Sequence, residues 1–179
     1  MLRRAPLGAL VALLLLAGHV HAQTGQRFSI QLSALGVELT GVTNEELRFG
    51  GGGELQFRWN PSAFSIGIGG QTTVHEVERV TVTYKGVFIE PRYVLTSFWD
   101  RVALYASARL MSLQATFELQ GIEIEGDGSA IAGGGGFLIS LGSRVNGELG
   151  VTFGKEFYDG EAADGTTVVT RLGIAIGIG

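Results

Sequence analysis

The constraint that matters most in this chain is a period of two that recurs from end to end. In "FSIGIGGQTTV" (64–74) the apolar residues sit mostly at even positions, and small or polar ones sit between them. Such alternation belongs to a strand whose two faces meet different surroundings. It recurs at near-regular spacing and predicts eight strands, over 26–38, 47–59, 62–75, 80–95, 101–117, 129–141, 144–157 and 166–178. Helix signals are nearly absent. The connections alternate in length: Asn60-Pro61, Thr96 to Asp100 and Gly142-Ser143 are tight, while Leu39 to Glu46, Glu118 to Gly128 and Tyr158 to Gly165 are longer and hold most of the acids. Glu76 to Arg79 falls on the same side as the longer ones.

Short turns at one end, longer loops at the other and an even strand number predict a closed eight-stranded antiparallel up-and-down transmembrane β-barrel. A bilayer can be crossed by strands of about 9–11 residues, and these runs reach that length. In lipid every backbone N–H and C=O needs a partner, so a spanning sheet must close on itself. The tight turns would then be periplasmic, and the acidic loops external.

The N-terminal residues fit export. Arg3 and Arg4 precede an apolar run, Leu7 to Ala17, and His21-Ala22 ends in a small residue before Gln23. This is the pattern of a signal peptide over 1–22, with the barrel domain over 23–179. A membrane anchor helix would need roughly 20 apolar residues, about twice this run. The chain has no cysteine, so an exported domain here depends on its own packing, on lipid or on a partner. Lysine is confined to Lys85 and Lys155, and the basic stripe expected of a nucleic-acid binder is lacking.

The two faces differ in chemistry. One carries residues such as Phe28, Ile30, Leu32, Leu55, Phe57, Ile66, Ile68, Leu104, Leu149, Leu172 and Ile174. By alternation Glu54, Arg58, Glu90, Arg92, Arg109, Glu148 and Arg171 point the other way. Facing lipid they would be costly; enclosed, they can pair, and arginine suits bidentate pairing with carboxylates. An interior ion network that plugs the lumen is expected from these seven. Aromatic residues gather near strand ends, with Trp59, Phe64, Tyr93, Phe98 and Trp99 by the short turns and Tyr84, Phe117, Phe157 and Tyr158 by the loops. They are expected to form the two interfacial girdles of a membrane barrel.

Glycines 50–53 in "FGGGGELQFRW" (49–59) could suggest a phosphate-binding loop, but Glu54-Leu55 stands where a Lys-Ser/Thr pair would be required. They continue the strand alternation, as do Gly133 to Gly136. Glycine gives large neighbours room inside a narrow barrel. One run changes phase: Val80, Val82 and Tyr84 are even, whereas Val87, Ile89, Tyr93 and Leu95 are odd. Either a bulge at Gly86 shifts the register, or the upper part projects beyond the bilayer. Pro91 removes a ladder hydrogen bond in the same run.

Taken together, the alternation, the glycine-rich strands, and "GVFIEPRYVL" (86–95) beside "RVALYASARL" (101–110) resemble the small eight-stranded outer-membrane barrels of the OmpA/OmpX type. The resemblance covers 23–179. It implies insertion by the outer-membrane assembly machinery, contact with outer-membrane lipid, a monomer, a polar interior and variable external loops. The interior Glu/Arg cluster it implies falls on the seven charged residues above. The departure is "GIAIGIG" (173–179), where the resemblance implies a terminal aromatic residue.

The function expected is that of a non-enzymatic barrel in the outer membrane of a Gram-negative-type bacterium, with a structural or surface-interaction role and no cofactor. Two alternatives are kept. One is a lipid A-modifying enzyme using His75, the only histidine beyond residue 22; it lies at an external strand end beside Glu76 and Glu78, where a solvated side chain is expected. The other is a soluble, lipocalin-like binder of an apolar ligand. "EIEGDG" (123–128) resembles a calcium loop, but Gly134 occupies the twelfth position where glutamate is required. It is expected to be an acidic solvated loop, with weak divalent-cation bridging to lipid head groups as its most specific role.

Overall fold

The computed structural model describes residues 26–40, 49–77, 80–98, 101–119, 122–158 and 165–179. The expected signal peptide (1–22), Trp99, and the acids at 45–46 and 159–164 lie outside the described residues. Eight strands run in chain order: β1 (Phe28–Thr40), β2 (Phe49–Trp59), β3 (Phe64–Val77), β4 (Val80–Phe98), β5 (Val102–Leu119), β6 (Ile122–Ser140), β7 (Val145–Tyr158) and β8 (Gly165–Ile178). Each pairs antiparallel with the next, and β8 closes on β1. Among the described residues, no helix is long and apolar enough to cross a membrane.

The closure is staggered. Paired partners can be followed from Ile30 through Phe57, Ile68, Ile89, Leu110, Ile131, Lys155 and Thr166. That path returns to β1 at Thr40, ten residues further along. Such shear forces the strands to tilt across the barrel axis, and with eight strands it leaves a bore that side chains can fill.

The burial pattern follows the period of two. In β1 every odd residue from Ser29 to Leu39 is buried, while Phe28, Ile30 and Leu32 are exposed. In β7 Asn146, Glu148, Thr152 and Glu156 are buried, while Leu149, Val151 and Phe153 are exposed. The barrel is thus apolar outside, and polar over much of its inside.

Two irregularities differ from the sequence reading. There is no shift at Gly86, which pairs with Leu113 in continuous register. Val82 is buried on the inner face, and Tyr84 packs there against Leu35, Val37 and Leu39 of β1. The apparent phase change arises because the inner face itself turns apolar in this part of the barrel. The bulge falls lower, between Val94 and Thr96. The extra residue, Leu95, turns the strand so that Phe98 pairs with outward Val102 and is exposed. Pro91 leaves a gap in the β4–β5 ladder beside Glu90 but keeps its place opposite Ile66 of β3.

The expected loop from Glu118 to Gly128 is mostly strand. β5 continues to Leu119, β6 begins at Ile122, and the two pair throughout. The last β6–β7 pair is Gly128 with Tyr158, so Ile122–Asp127 stand above β7. Glu123, Glu125 and Asp127 lie exposed on one face of this extension.

Candidate functional site: a charged network across the barrel

The inward positions of β2, β4, β5, β7 and β8 bring Glu54, Arg58, Glu90, Arg92, Arg109, Glu148 and Arg171 together, each at most 4% exposed. Glu90 is the hub. Its Oε1 accepts from Arg58 Nη2 at 2.6 Å and Arg92 Nη2 at 3.1 Å. Its Oε2 accepts from Arg109 Nε at 2.9 Å and Nη2 at 2.5 Å, and from Arg171 Nη2 at 3.1 Å. The fork of Arg109 thus grips a single carboxylate oxygen, and its Nη1 reaches Glu54 Oε2 at 2.9 Å and Gln71 Oε1 at 2.9 Å.

Glu148 anchors the other side. Its Oε1 accepts from Arg92 at 2.9 Å, Arg171 at 3.1 Å and the Tyr105 hydroxyl at 2.7 Å. Arg171 Nε lies 2.9 Å from Glu54 Oε1, so this one guanidinium touches all three acids. The four arginines and three glutamates form one connected set that bridges strands across the bore. In a water-poor interior such pairs are held by charge-assisted hydrogen bonds, and removing any partner would strand a charge.

Several members escape a reading based on charge alone. Tyr105 holds Glu148 and lies under Arg92, whose guanidinium carbon is 4.1 Å from the ring centroid. Phe88 supports Arg109 in the same way at 3.8 Å. Gln56 accepts from Arg58, and Ser33 donates to Glu54. Their signal was parity: Tyr105 shares the odd positions of Arg109, and Gln56 the even positions of Glu54 and Arg58. Space for these side chains comes from glycine. A Cβ on Gly67 would strike Gln56 and Arg58, and one on Gly150 would strike the Tyr105 hydroxyl.

His75 is not solvated as the sequence suggested. It is fully buried on the inner face, edge-on to Tyr84 with ring centroids 5.5 Å apart, and it packs where Gly50 has no side chain. It has the inward parity of Thr73, and β3 runs on past it to Val77. Above the charged network the bore contains a cavity of about 30 Å³ bounded by Gln71, Arg109, Thr152 and Thr167; below it lies another of about 20 Å³. Each is about the size of one water molecule. Among the described residues no cluster of His, Asp or Glu could hold a metal ion, and the acids of 123–127 stand apart along an open strand.

The aromatic residues divide unevenly. Trp59, Phe64, Tyr93 and Phe98 face outward near the short turns, and Phe28, the register partner of Trp59, stacks on Phe57. At the other end Phe157 is exposed beneath the Lys155 ammonium. Phe117 and Tyr158 do not join a second girdle. Phe117 has the inward parity of Leu113 and Ala115 on the projecting part of β5. Tyr158 shares the inward parity of Glu156 and donates to its carboxylate at 2.6 Å.

A closed, tilted ring of eight antiparallel strands with an apolar exterior and a charged interior defines the class: this is the fold of the small eight-stranded outer-membrane β-barrels. It is similar to Neisserial surface protein A, at a TM-score of 0.70 and 12% identity over 84% of this chain and 97% of that one. It also resembles the outer membrane protein OprG of Pseudomonas aeruginosa, at a TM-score of 0.54 and 12% identity over 86% and 98% of the two chains. Ail, the attachment invasion locus protein of Yersinia pestis, has a TM-score of 0.52 and 16% identity over 83% of this chain and 95% of its own. No protein-family model matches the sequence, and no curated protein matches it either.

Proposed function

We propose that this chain is an integral outer-membrane barrel that is non-enzymatic, sealed by its own interior charges, and structural or surface-interacting in role. The observation that carries the reading is the opposition of the two faces. Leu32, Leu55, Ile68 and Leu172 are each more than half exposed, whereas seven charged side chains meet inside. In water this would be an inverted protein; in a bilayer both faces are satisfied. The short turns then face the periplasm. The projecting β5–β6 hairpin, with Glu118, Glu123, Glu125 and Asp127 exposed, faces outward from the cell.

Two features favour this over the alternatives. A lipid-modifying base would need access to lipid, and His75 is buried on the inner face. A lipocalin-like binder would need a bore with room for its ligand, and the interior cavities here are water-sized. Outer-membrane lipid would be the permanent contact, with the assembly machinery a transient one.

The test is membrane fractionation followed by gel migration with and without heating. The protein should partition with outer membranes and migrate differently before and after boiling. Recovery in the soluble periplasmic fraction would exclude the reading. Lipid A of unchanged composition on expression, with the intact protein and with His75→Ala alike, is expected of a non-enzyme. Purified protein in a planar bilayer should show no steady ion conductance if the network seals the bore.

A further inference from the structure

A second set of inward polar groups lies above the charged network. At the end of β7, Tyr158 donates its hydroxyl proton to Glu156 Oε2 at 2.6 Å. Tyr84 reaches this pair from β4. Its hydroxyl interacts with that of Tyr158, and its ring meets His75 of β3 edge-on at 5.5 Å. Two strands, β5 and β6, separate Tyr84 from Tyr158 around the wall, and their inward residues at this level are small. Ala115 is the register partner of Tyr84, Gly126 that of Ala115, and Gly128 that of Tyr158. A Cβ on Gly128 would strike the Tyr158 ring, and one on Gly50 would strike His75. The wall is cut away where these rings lie, which lets them extend over the bore.

The cavity of about 30 Å³ lies beneath them. Arg109 and Gln71 border it on the network side, and Tyr84 and Glu156 on the other. Thr73, Thr152 and Thr167 line it, each at most 6% exposed. The network lies below these hydroxyls, so their cover comes from the loop side, where Tyr84, Tyr158 and His75 stand.

Building on the sealed barrel proposed above, we infer that Tyr84, Tyr158 and Glu156 form a strap across the upper mouth of the bore, a second seal that opens independently of the charged network. Hydroxyl contacts hold the strap, whereas ion pairs hold the network, so the strap is the weaker of the two. When it opens, solvent reaches the cavity while the network still blocks the way through.

The chain has no cysteine, so one introduced thiol reports access without background. Thr152→Cys in the full chain, folded in detergent, is treated with 2-aminoethyl methanethiosulfonate, and labelling is followed by mass spectrometry. It should react far more slowly than Glu125→Cys on the exposed face of the projecting hairpin. Adding Tyr158→Phe keeps the ring but removes its hydroxyl contacts, and should speed labelling of Thr152→Cys on the order of tenfold, as expected for the loss of one or two hydrogen bonds. Ala175→Cys, beside the lower cavity, should label at the same rate with and without Tyr158→Phe. Labelling of Thr152→Cys as fast as Glu125→Cys would overturn the inference, since the mouth would already stand open. So would an unchanged rate for Thr152→Cys after Tyr158→Phe, or an equal rise at both buried thiols, the mark of a loosened barrel. Should Thr152→Cys fail to fold, Thr167→Cys on β8 reports on the same cavity. Labelling rates require no conductance, so failure here leaves the seal of the network standing; steady conductance through the unaltered protein would instead remove the sealed reading itself.

Discussion

At the scale of the residue, Glu90 has the most to lose. It is fully buried and accepts from all four arginines. Glu90→Gln keeps the shape but leaves those arginines with two acids. Breaking a buried pair from one side costs about 3–5 kcal/mol. The midpoint of urea-induced unfolding in lipid vesicles should fall accordingly; an unchanged midpoint would mean that water already screens the network. The seven charges could be grouped from the sequence because charge on one side of an alternating strand has few places to go. Tyr105, Phe88 and Gln56 could not be singled out that way, since polar and aromatic residues are tolerated on either face. His75 carried the right parity, but its closeness to Glu76 made it read as solvated. The tertiary contact with Tyr84 and the gap at Gly50 accompany its burial, and neither is visible in the sequence around it.

Among the elements, β6 shows how glycine serves two purposes within a few residues. A Cβ on Gly136 would run into the Leu149 carbonyl and the Gly150 backbone of β7. One on Gly133 would meet nothing nearer than a carbonyl at 4.0 Å. Gly136→Ala should therefore push β6 from β7 and destabilise by about 1–3 kcal/mol, the usual cost of overpacking. Gly133→Ala should be neutral, or stabilising by about 0.4–1 kcal/mol through the unfolded chain. Unfolding midpoints of the two variants in the same vesicles check the contrast. The presence and order of the strands were plain in the alternation, and seven of the eight expected runs lie within a few residues of the strands observed. The start of β6 was not, because "EIEGDG" offers turn residues and acids that suggest a loop. Pairing with β5 overrides that local preference, as Glu125 with Thr116 and Asp127 with Gln114 illustrate. The bulge at Leu95 left no glycine signal, and is visible only in the pairing.

For the whole molecule, exposure by itself does not reveal which surroundings a side chain meets. Leu172 is 67% exposed at the middle of β8, and Ile124 is 63% exposed on the projecting part of β6. In a soluble protein, arginine at either position would be harmless. If the barrel spans a bilayer, Leu172→Arg places a guanidinium near its midplane and should cost about 2–4 kcal/mol, against about 0–1 kcal/mol beyond the interface for Ile124→Arg. The sequence made the outward apolar band legible, but not the height of the hairpin that rises past it. That height depends on the stagger of closure and on how far β5 and β6 remain paired, neither of which hydropathy records. Unfolding both variants in vesicles and again in detergent separates the causes. The penalty at Leu172 should shrink in a thin, deformable micelle, whereas a packing defect would persist in both. Equal penalties at the two positions would mean that the apolar exterior does not face lipid, and the membrane reading would fall with it.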